Sequence, residues 1–166
     1  MDCYKAEDMV LSREDEKEIE YAHAMTGEPV EKLAQWRKEK IAEDLNDYLK
    51  NNIDDYEGPL IIEEFIGGQS NPTYLLKTPS ASYVLRRKPP GNLLKSAHAV
   101  DREYRVISAL NKTNVPVPKA YLHCEDESLL GTEFFVMEFI NGSVIWDPDI
   151  PHGTNSDRTQ IYESMN

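Results

Sequence analysis

Residues 60–91 read LIIEEFIGGQSNPTYLLKTPSASYVLRRKPPG, and the architecture follows from them. Three short runs of β-type residues lie in this stretch: Leu60–Ile66, Pro72–Thr78 and Ser82–Lys88. A segment with two glycines joins the first two runs, and a turn at Pro79-Ser80 joins the second to the third. Pro89 ends the third run because proline cannot donate to a ladder. Connections this short predict an antiparallel meander.

The residues after the meander continue the pattern with one helix and two more strands. Ser96 is placed to cap a helix at about 97–112. A strand is predicted at 119–125, and a loop through Gly131 leads to another at 133–140. Three strands, a helix and two strands predict an α+β fold with a five-stranded antiparallel sheet and one helix on one of its faces.

The first third of the chain has helical patterns. Ser12, followed three residues later by Asp15, resembles a capping box, and the charged stretch behind it ends at Gly27. Pro29 suits the first turn of a second helix that runs to about Asn51. Its apolar residues recur at steps of three and four and form one stripe. We interpret this helix as packed on the sheet, with docking to a partner chain as the alternative.

These patterns divide the chain into four segments. Residues 1–28 form an acidic, partly helical extension, and residues 29–58 form the amphipathic helix and a linker. Residues 59–142 form the sheet unit, and residues 143–166 form a loop-like tail with one last helical start. The polar, turn-forming cluster at 54–59 marks the clearest boundary.

Composition excludes several classes of protein. The 166 residues include 18 basic and 30 acidic side chains, a formal net charge of −12. The longest near-apolar run, 134–140, is far shorter than the roughly 20 residues of a membrane helix, so we expect no membrane partner. The opening residues MDCYKAEDM do not resemble a secretory or transit signal, and Cys3 and Cys124 suggest neither a disulfide framework nor a zinc site. We therefore expect an intracellular protein, cytoplasmic by default.

The charge is unevenly distributed along the chain. Residues 1–58 carry 17 acids and 8 bases, whereas residues 86–105 carry six bases and two acids. A nucleic-acid binder needs a broad basic surface, so we expect no nucleic-acid partner. A small anion suits one basic segment, and a solvated patch that balances nearby acids is the alternative.

Three features in and near this segment predict an anion site. Gly67-Gly68 lies between two strands, where backbone N–H groups can approach a phosphate chain, although most such pairs are simple turns. Alternation puts Arg86 on one strand face and Arg87 on the other, and a mid-strand cation either holds an anion or reaches out to the sheet edge. Glu103 lies on or beside the apolar stripe of the predicted helix, where it either pairs with Arg86 or reaches water. Together the three are typical of a protein-kinase-like nucleotide site.

Four stretches carry a resemblance to a known family: GGQSNPTY at 67–74, YVLRRKPPG at 83–91, SAHAVDREYRVI at 96–107 and FVMEF at 135–139. From about Ile41 to Asn166 the chain resembles the N-terminal lobe of the aminoglycoside phosphotransferase and choline-kinase-like superfamily. The subgroup it resembles most is the phosphotransferase module fused to some acyl-CoA dehydrogenases. The resemblance implies a kinase-like sheet with one αC-type helix and ATP as the cofactor.

The resemblance also implies nucleotide contacts for twelve residues: Gly67, Gly68, Gln69, Ser70, Asn71, Val84, Arg86, Glu103, Met137, Glu138, Phe139 and Ile140. The first five resemble the phosphate-covering loop, and Val84 would lie over the adenine. Arg86 stands where many kinases have lysine, and Glu103 resembles its partner on the αC-type helix. Met137 resembles the gatekeeper, and the three residues after it resemble the adenine-binding hinge.

The family's catalytic lobe follows the hinge and supplies a His-Gly-Asp-type loop, a downstream Asn and a magnesium-binding Asp. His152-Gly153-Thr154-Asn155 lacks the Asp and comes only 12 positions after Ile140, so we interpret it as a coincidence. We predict no catalytic and no metal-binding residue in this chain. We expect the catalytic lobe to be absent and the tail 143–166 to be a linker toward it.

In complete relatives the resemblance implies magnesium, ATP as donor and a small hydroxylated acceptor such as a hydroxy acid. For this chain we expect weak nucleotide binding without turnover. The alternative is a non-catalytic docking module, or a fragment completed by a partner chain. By family resemblance, mitochondria and peroxisomes are alternatives to the cytoplasm.

Overall fold

The fold is taken from a computed structural model, which describes residues 11–65, 71–89, 99–142, 145, 147–151 and 153–164. In chain order these residues form the following elements: α1 (Arg13–Thr26), α2 (Val30–Asn52), β1 (Ile61–Glu64), β2 (Thr73–Lys77), β3 (Ser82–Arg87), α3 (Val100–Leu110), β4 (Ala120–Cys124), α4 (Glu127–Leu130), β5 (Phe134–Glu138) and α5 (Asn155–Ser164). The predicted α+β fold is confirmed: the described residues form a five-stranded antiparallel sheet preceded by helices.

Two details differ from the sequence predictions. The strand predicted to reach Ile140 ends at Glu138, because its pairing with β3 ends there, at Tyr83. The short helix α4 lies where a loop was expected. Its signals are present in the sequence, since Asp126 accepts the Ser128 N–H at the start and Gly131 ends the helix at φ 73°.

Local sequence chemistry sets both ends of α1. Ser12 Oγ accepts a hydrogen bond from the Asp15 N–H at 3.2 Å, and the Asp15 carboxylate accepts one from the Ser12 N–H at 2.9 Å, which completes the predicted capping box. Gly27 ends the helix at φ 72°, a left-handed conformation that costs glycine little. The second helix, α2, has 23 residues, is about 34 Å long and packs against α1.

The sheet has the strand order β1-β2-β3-β5-β4, and all neighbours are antiparallel. Its central strand, β3, pairs Val84 with Leu75 of β2 and with Met137 of β5. Successive strand residues point to opposite sides. We call the side that bears Arg86 the inner face, and the side that bears Arg87 the outer face.

Helix α2 packs on the outer face, and the core lies between the two. Buried residues of the helix share one core cluster with nine buried sheet residues: Ile62, Tyr74, Leu76, Tyr83, Leu85, Leu122, Cys124, Phe134 and Val136. Leu45 and Leu49 of the helix are 0% exposed. Burying side chains of this size contributes roughly 1.5–3 kcal/mol each, so α2 is a structural layer of this domain.

A buried asparagine fixes the linker between α2 and β1. The Tyr56 hydroxyl donates to Asn46 Oδ1 at 3.1 Å. A Cβ at position 58 would overlap the same Asn46 side chain, so the close approach of the linker requires Gly58. Side-chain contacts, and not chain connectivity alone, therefore hold the start of β1 against α2.

Helix α3 lies against the inner face beside β4 and β5. Its Tyr104 stacks on His123 with ring centroids 5.1 Å apart, and its ring centroid lies 6.0 Å from that of Phe135. His123 and Phe135 are paired across β4 and β5, so both belong to the inner face. The predicted cap Ser96 and the residues Ala97 and His98 lie outside the described residues. These aromatic contacts place the first turn of α3 beside Arg86.

Candidate functional site

Strand β3 presents two consecutive arginines with different surroundings. The Arg86 side chain on the inner face is 29% exposed, whereas Arg87 on the outer face is 1% exposed. The alternation of a strand accounts for the opposite directions. Arg86 is therefore the strand cation that a dissolved anion can reach.

Arg86 meets the helix carboxylate that the sequence singled out. Arg86 Nε lies 3.2 Å from Glu103 Oε1, within ion-pair distance, although the N–H is not aligned on that oxygen for a hydrogen bond. The Glu103 side chain is 33% exposed, so the pair sits at the boundary between protein and solvent. The two outcomes that periodicity left open are both realised in part, since Glu103 pairs with Arg86 and also reaches water.

The position of Glu103 follows from the helix that carries it. Glu103 lies in the first turn of α3, where its N–H donates to the Ala99 carbonyl at 3.2 Å and where a negative charge is favoured by the helix dipole. The neighbouring Tyr104 is stacked on the sheet. The anchored helix therefore holds the Glu103 carboxylate beside Arg86.

An apolar surface adjoins the ion pair on the inner face. Val84 is buried, and its partners Leu75 and Met137 are half-buried on either side of it. Val84 and Met137 were predicted from the sequence, but Leu75 was not. Alternation within β2 puts Leu75 on the face of Thr73 and Lys77. The strand register, which pairs Leu75 with Val84, is what shows that Leu75 lies on the same inner face as Val84.

The residues expected to form the hinge lie where β5 ends. The Glu138 N–H already donates to the Lys119 carbonyl at 2.8 Å, so it belongs to the sheet. Phe139 stacks on Phe65 with ring centroids 6.5 Å apart, and Ile140 is 56% exposed. The chain leaves the sheet here beside the apolar surface, as a hinge would require.

The predicted phosphate-covering loop is described in the structure only at its last residue, Asn71. Gly67, Gly68, Gln69 and Ser70 lie outside the described residues. Asn71 is described; it is buried, and its carbonyl accepts a hydrogen bond from the Thr73 hydroxyl at 3.0 Å. Thr73 is paired with Arg86 across β2 and β3, so the loop rejoins the sheet next to the ion pair.

A polar cavity of about 700 Å³ lies elsewhere, between the start of α1 and α4. None of the predicted site residues lines it. Two of its charged groups, Asp15 and Arg37, are already engaged in a mutual ion pair at 2.6 Å. We therefore place the candidate site at Arg86 and Glu103, where a cation is held ready at the edge of an apolar surface.

Two further findings concern the described part of the chain alone. No group of three or more His, Cys, Asp or Glu side chains there is arranged to hold a metal ion. Searched in the same ranges, the helices include none with both the length and the apolar character that crossing a membrane requires.

Comparisons with known proteins show the family and its relatives. Residues 61–165 match the model of the APH family, described as the phosphotransferase enzyme family. The chain is 44% identical over 121 residues to acyl-CoA dehydrogenase family member 11 of Rattus norvegicus, and 44% identical over 123 residues to family member 10 of Mus musculus. These matches cover 73% and 74% of this chain but only 16% and 12% of the two relatives.

A solved structure is also similar. The crystal structure of a candidate aminoglycoside phosphotransferase from Ralstonia eutropha superposes with a TM-score of 0.62 at 45% sequence identity. The match covers 73% of this chain and 34% of that one. The chain therefore spans about a third of that protein and a sixth or less of the two dehydrogenase relatives.

Proposed function

Because this chain belongs to the phosphotransferase enzyme family, as its motifs predicted, we propose that its sheet and α3 form the ATP-binding half of a small-molecule phosphotransferase. The acceptor in complete relatives would be a hydroxylated small molecule such as a hydroxy acid. One observation carries the proposal: the Arg86–Glu103 ion pair on the inner face, 3.2 Å long and open to solvent on one side.

The chemistry of the pair suits a phosphate chain. A guanidinium offers a planar fork of donors that matches phosphate oxygens, and charge-assisted hydrogen bonds of this kind are strong. Arg86 is about a third exposed and keeps Glu103 on one side, so its free edge would bind the phosphates. Glu103 would hold the fork in direction, which is the role of the helix carboxylate in kinase-like sites.

The apolar surface beside the pair suits a nucleobase. Ligand pockets are mostly apolar, with a few polar groups that fix orientation. Val84, Leu75 and Met137 would provide the apolar wall, and the backbone from Glu138 to Ile140 would provide the polar edge. Gly67 to Asn71 would cover the phosphates, as the family resemblance implies.

Magnesium does not fit the described residues, because no cluster of donor side chains is arranged for it. The sequence also offers no His-Gly-Asp-type loop. We propose that this chain alone binds nucleotide weakly without turnover. The base, the metal ligands and the acceptor site would lie in the part of the relatives that this chain does not cover.

A second candidate function is docking to a catalytic lobe or to another partner chain. Phe65 is 40% exposed and stacks on Phe139, whose neighbour Ile140 is 56% exposed, and exposed apolar patches commonly mark interfaces. A partner that covers them would complete the cleft. An increase in apparent mass with concentration, insensitive to nucleotide, would favour this function over nucleotide binding.

The test is nucleotide binding by the purified chain, with and without magnesium. We expect ATP to raise the unfolding temperature of the wild type, and Arg86→Met and Glu103→Gln to abolish that rise. Arg105→Met is the matched control, because it removes the same charge from an exposed α3 side chain paired with Asp101. Absence of any nucleotide effect on the wild type would refute the binding proposal. Magnesium-dependent ATP consumption that Arg86→Met abolishes would refute the proposed lack of turnover.

A further inference from the structure

The buried neighbour of Arg86 has no part in the proposed ATP contacts. Arg87 is 1% exposed, lies on the outer face and donates from Nε to Thr132 Oγ1 at 3.2 Å. Burial lowers the pKa of the Arg87 guanidinium, and the Tyr74 hydroxyl and the carboxylates of Asp15 and Glu64 oppose that shift. A charge buried so completely is costly unless its surroundings compensate.

One of these carboxylates, that of Asp15, belongs to helix α1. Asp15 is buried, and its carboxylate accepts hydrogen bonds from Ser12 Oγ at 2.6 Å and from Arg37 Nε at 2.6 Å. One carboxylate therefore belongs to the capping box of α1, pairs with α2 and lies in the electrostatic surroundings of Arg87 on β3.

The start of α1 lies close to the residue that ends α4. Gly131 lies at φ 73°, and a Cβ added there would lie 2.6 Å from Ser12 Cβ. Thr132, the next residue, accepts the Arg87 hydrogen bond. The start of α1 is thus packed against the short segment that anchors Arg87, which couples the helix layer to the central strand.

The coupled elements lie on both sides of the boundary of the family match. The matched residues are 61–165, so α1, α2 and the Asp15–Arg37 pair all lie outside them. Arg87 lies inside them, one position after the proposed phosphate-binding residue. Contacts from α1, outside the matched residues, to the surroundings of β3 would let the helix layer influence the position of Arg86.

We propose that Arg87 is a positioning residue: held by its hydrogen bond to Thr132, beside the Gly131–Ser12 contact with the start of α1, it fixes the roll of β3 and so directs Arg86 toward Glu103. Consecutive strand residues point to opposite faces at a fixed angle, so a rigid anchor on one face sets the direction of the side chain on the other. Arg87 suits this role because its planar fork accepts few orientations. Its meaning for ATP rests on the proposed function, whereas the geometric claim does not.

The test measures the Arg86 side chain directly, in protein without nucleotide. The Arg86 Nε–H resonance is assigned by NMR from its loss in Arg86→Met, and its shift in Glu103→Gln gives the value for a broken pair. In Arg87→Lys and Asp15→Asn we expect the chemical shift of the Arg86 Nε–H to lie between the wild-type value and the value in Glu103→Gln. Ile41→Val, a mild change in the same buried layer, is the control for general loss of stability and should leave the resonance in place.

ATP affinity is the second readout. We expect Arg87→Lys and Asp15→Asn to weaken ATP binding about fivefold or more, a typical coupling between linked sites, and Ile41→Val to leave it unchanged. Folded Arg87→Lys and Asp15→Asn proteins with an unmoved Arg86 resonance would overturn the positioning role and leave Arg87 as a core residue. If the wild type binds no ATP, the proposed function fails, while the resonance still decides the positioning role.

Discussion

The two faces of one sheet show how differently the same residue type is used. On the outer face Arg87 is sealed beneath the helix layer with Thr132, and on the inner face Arg86 is 29% exposed beside Glu103. One peptide unit separates them. The outer face has a layer formed by α2 with α1 packed on it, whereas α3 is the helix described on the inner face.

The difference shows that burial decides the role of a charge. A guanidinium buried away from water needs hydrogen-bond and charge partners within the protein, so its position is fixed by those partners. Where a guanidinium is partly exposed, as at Arg86, some of its N–H groups can still donate hydrogen bonds to an anion from solvent. The outer face should therefore govern stability, and the inner face should govern binding.

The largest expected effect tests the outer layer. Leu45→Ala removes a side chain that is 0% exposed between α2 and the sheet, and we expect it to lower the free energy of unfolding by about 2–5 kcal/mol. Denaturant titration followed by circular dichroism measures it. Trp36→Ala on the same helix, at a residue 61% exposed, is the control and should stay within about 0.5 kcal/mol. Equal losses in the two variants would contradict the view of α2 as a buried layer.

The next effect tests the polar part of the outer layer. Burial alone would raise the pKa of Asp15, but hydrogen bonds from Ser12 and the Arg37 guanidinium lower it below its ordinary value. A depressed pKa means that the carboxylate stabilises the fold above the unfolded-state pKa of about 4, and that this contribution is lost as the pH falls through the folded-state value. We expect Asp15→Asn to cost about 1–3 kcal/mol at neutral pH.

The pH dependence gives that prediction its control. Other carboxylates titrate in the same range, so the informative quantity is the difference in unfolding free energy between wild type and Asp15→Asn. It should be constant well above the unfolded-state pKa of about 4 and shrink as the pH falls from there through the lowered folded-state value. A difference that does not change with pH would show that the loss comes from packing and not from the charge.

A smaller effect on stability is expected on the inner face. Glu103→Gln breaks a pair whose side chains are about a third exposed, so the unfolding free energy should change by less than about 1 kcal/mol. The same variant should lose the thermal shift produced by ATP. A decrease in unfolding free energy as large as that of Leu45→Ala would mean that the Arg86–Glu103 pair is as deeply buried as the outer-face core. The proposed difference between the faces would then be wrong.

The smallest effect is expected at the sheet edge. Lys77 Nζ lies 2.7 Å from the Glu63 carboxylate, but both side chains are more than 40% exposed. Lys77→Met should change the unfolding free energy by less than about 0.5 kcal/mol, because an exposed pair gains little over its hydrated ions. High salt should reduce even that difference. Calorimetry of both proteins at low and high salt measures it, and a larger, salt-independent loss would contradict this account.

Local patterns predicted much of the fold and the centre of the site. The Ser12–Asp15 capping box, the amphipathic stripe of α2, the five strands and the opposite directions of Arg86 and Arg87 all follow from spacing alone. These features depend on neighbours a few residues away, so the sequence displays them directly. The strand ends were misplaced because pairing partners decide them. Helix α4 was missed because its four residues are too few to show a helical period, although its caps are local.

The sequence alone determined the family, the order of the five strands and the longer helices, and the two residues, Arg86 and Glu103, that the fold brings together. Tertiary structure decided which sheet face became dry, that Leu75 joins Val84 and Met137, and that Arg87 lies beside Thr132 with Asp15 in its electrostatic surroundings. The physical reason is that the two kinds of feature depend on interactions at different separations along the chain. Periodicity shows that two side chains point in opposite directions, but the register and the covering layer, which are set by distant residues, decide what each one meets.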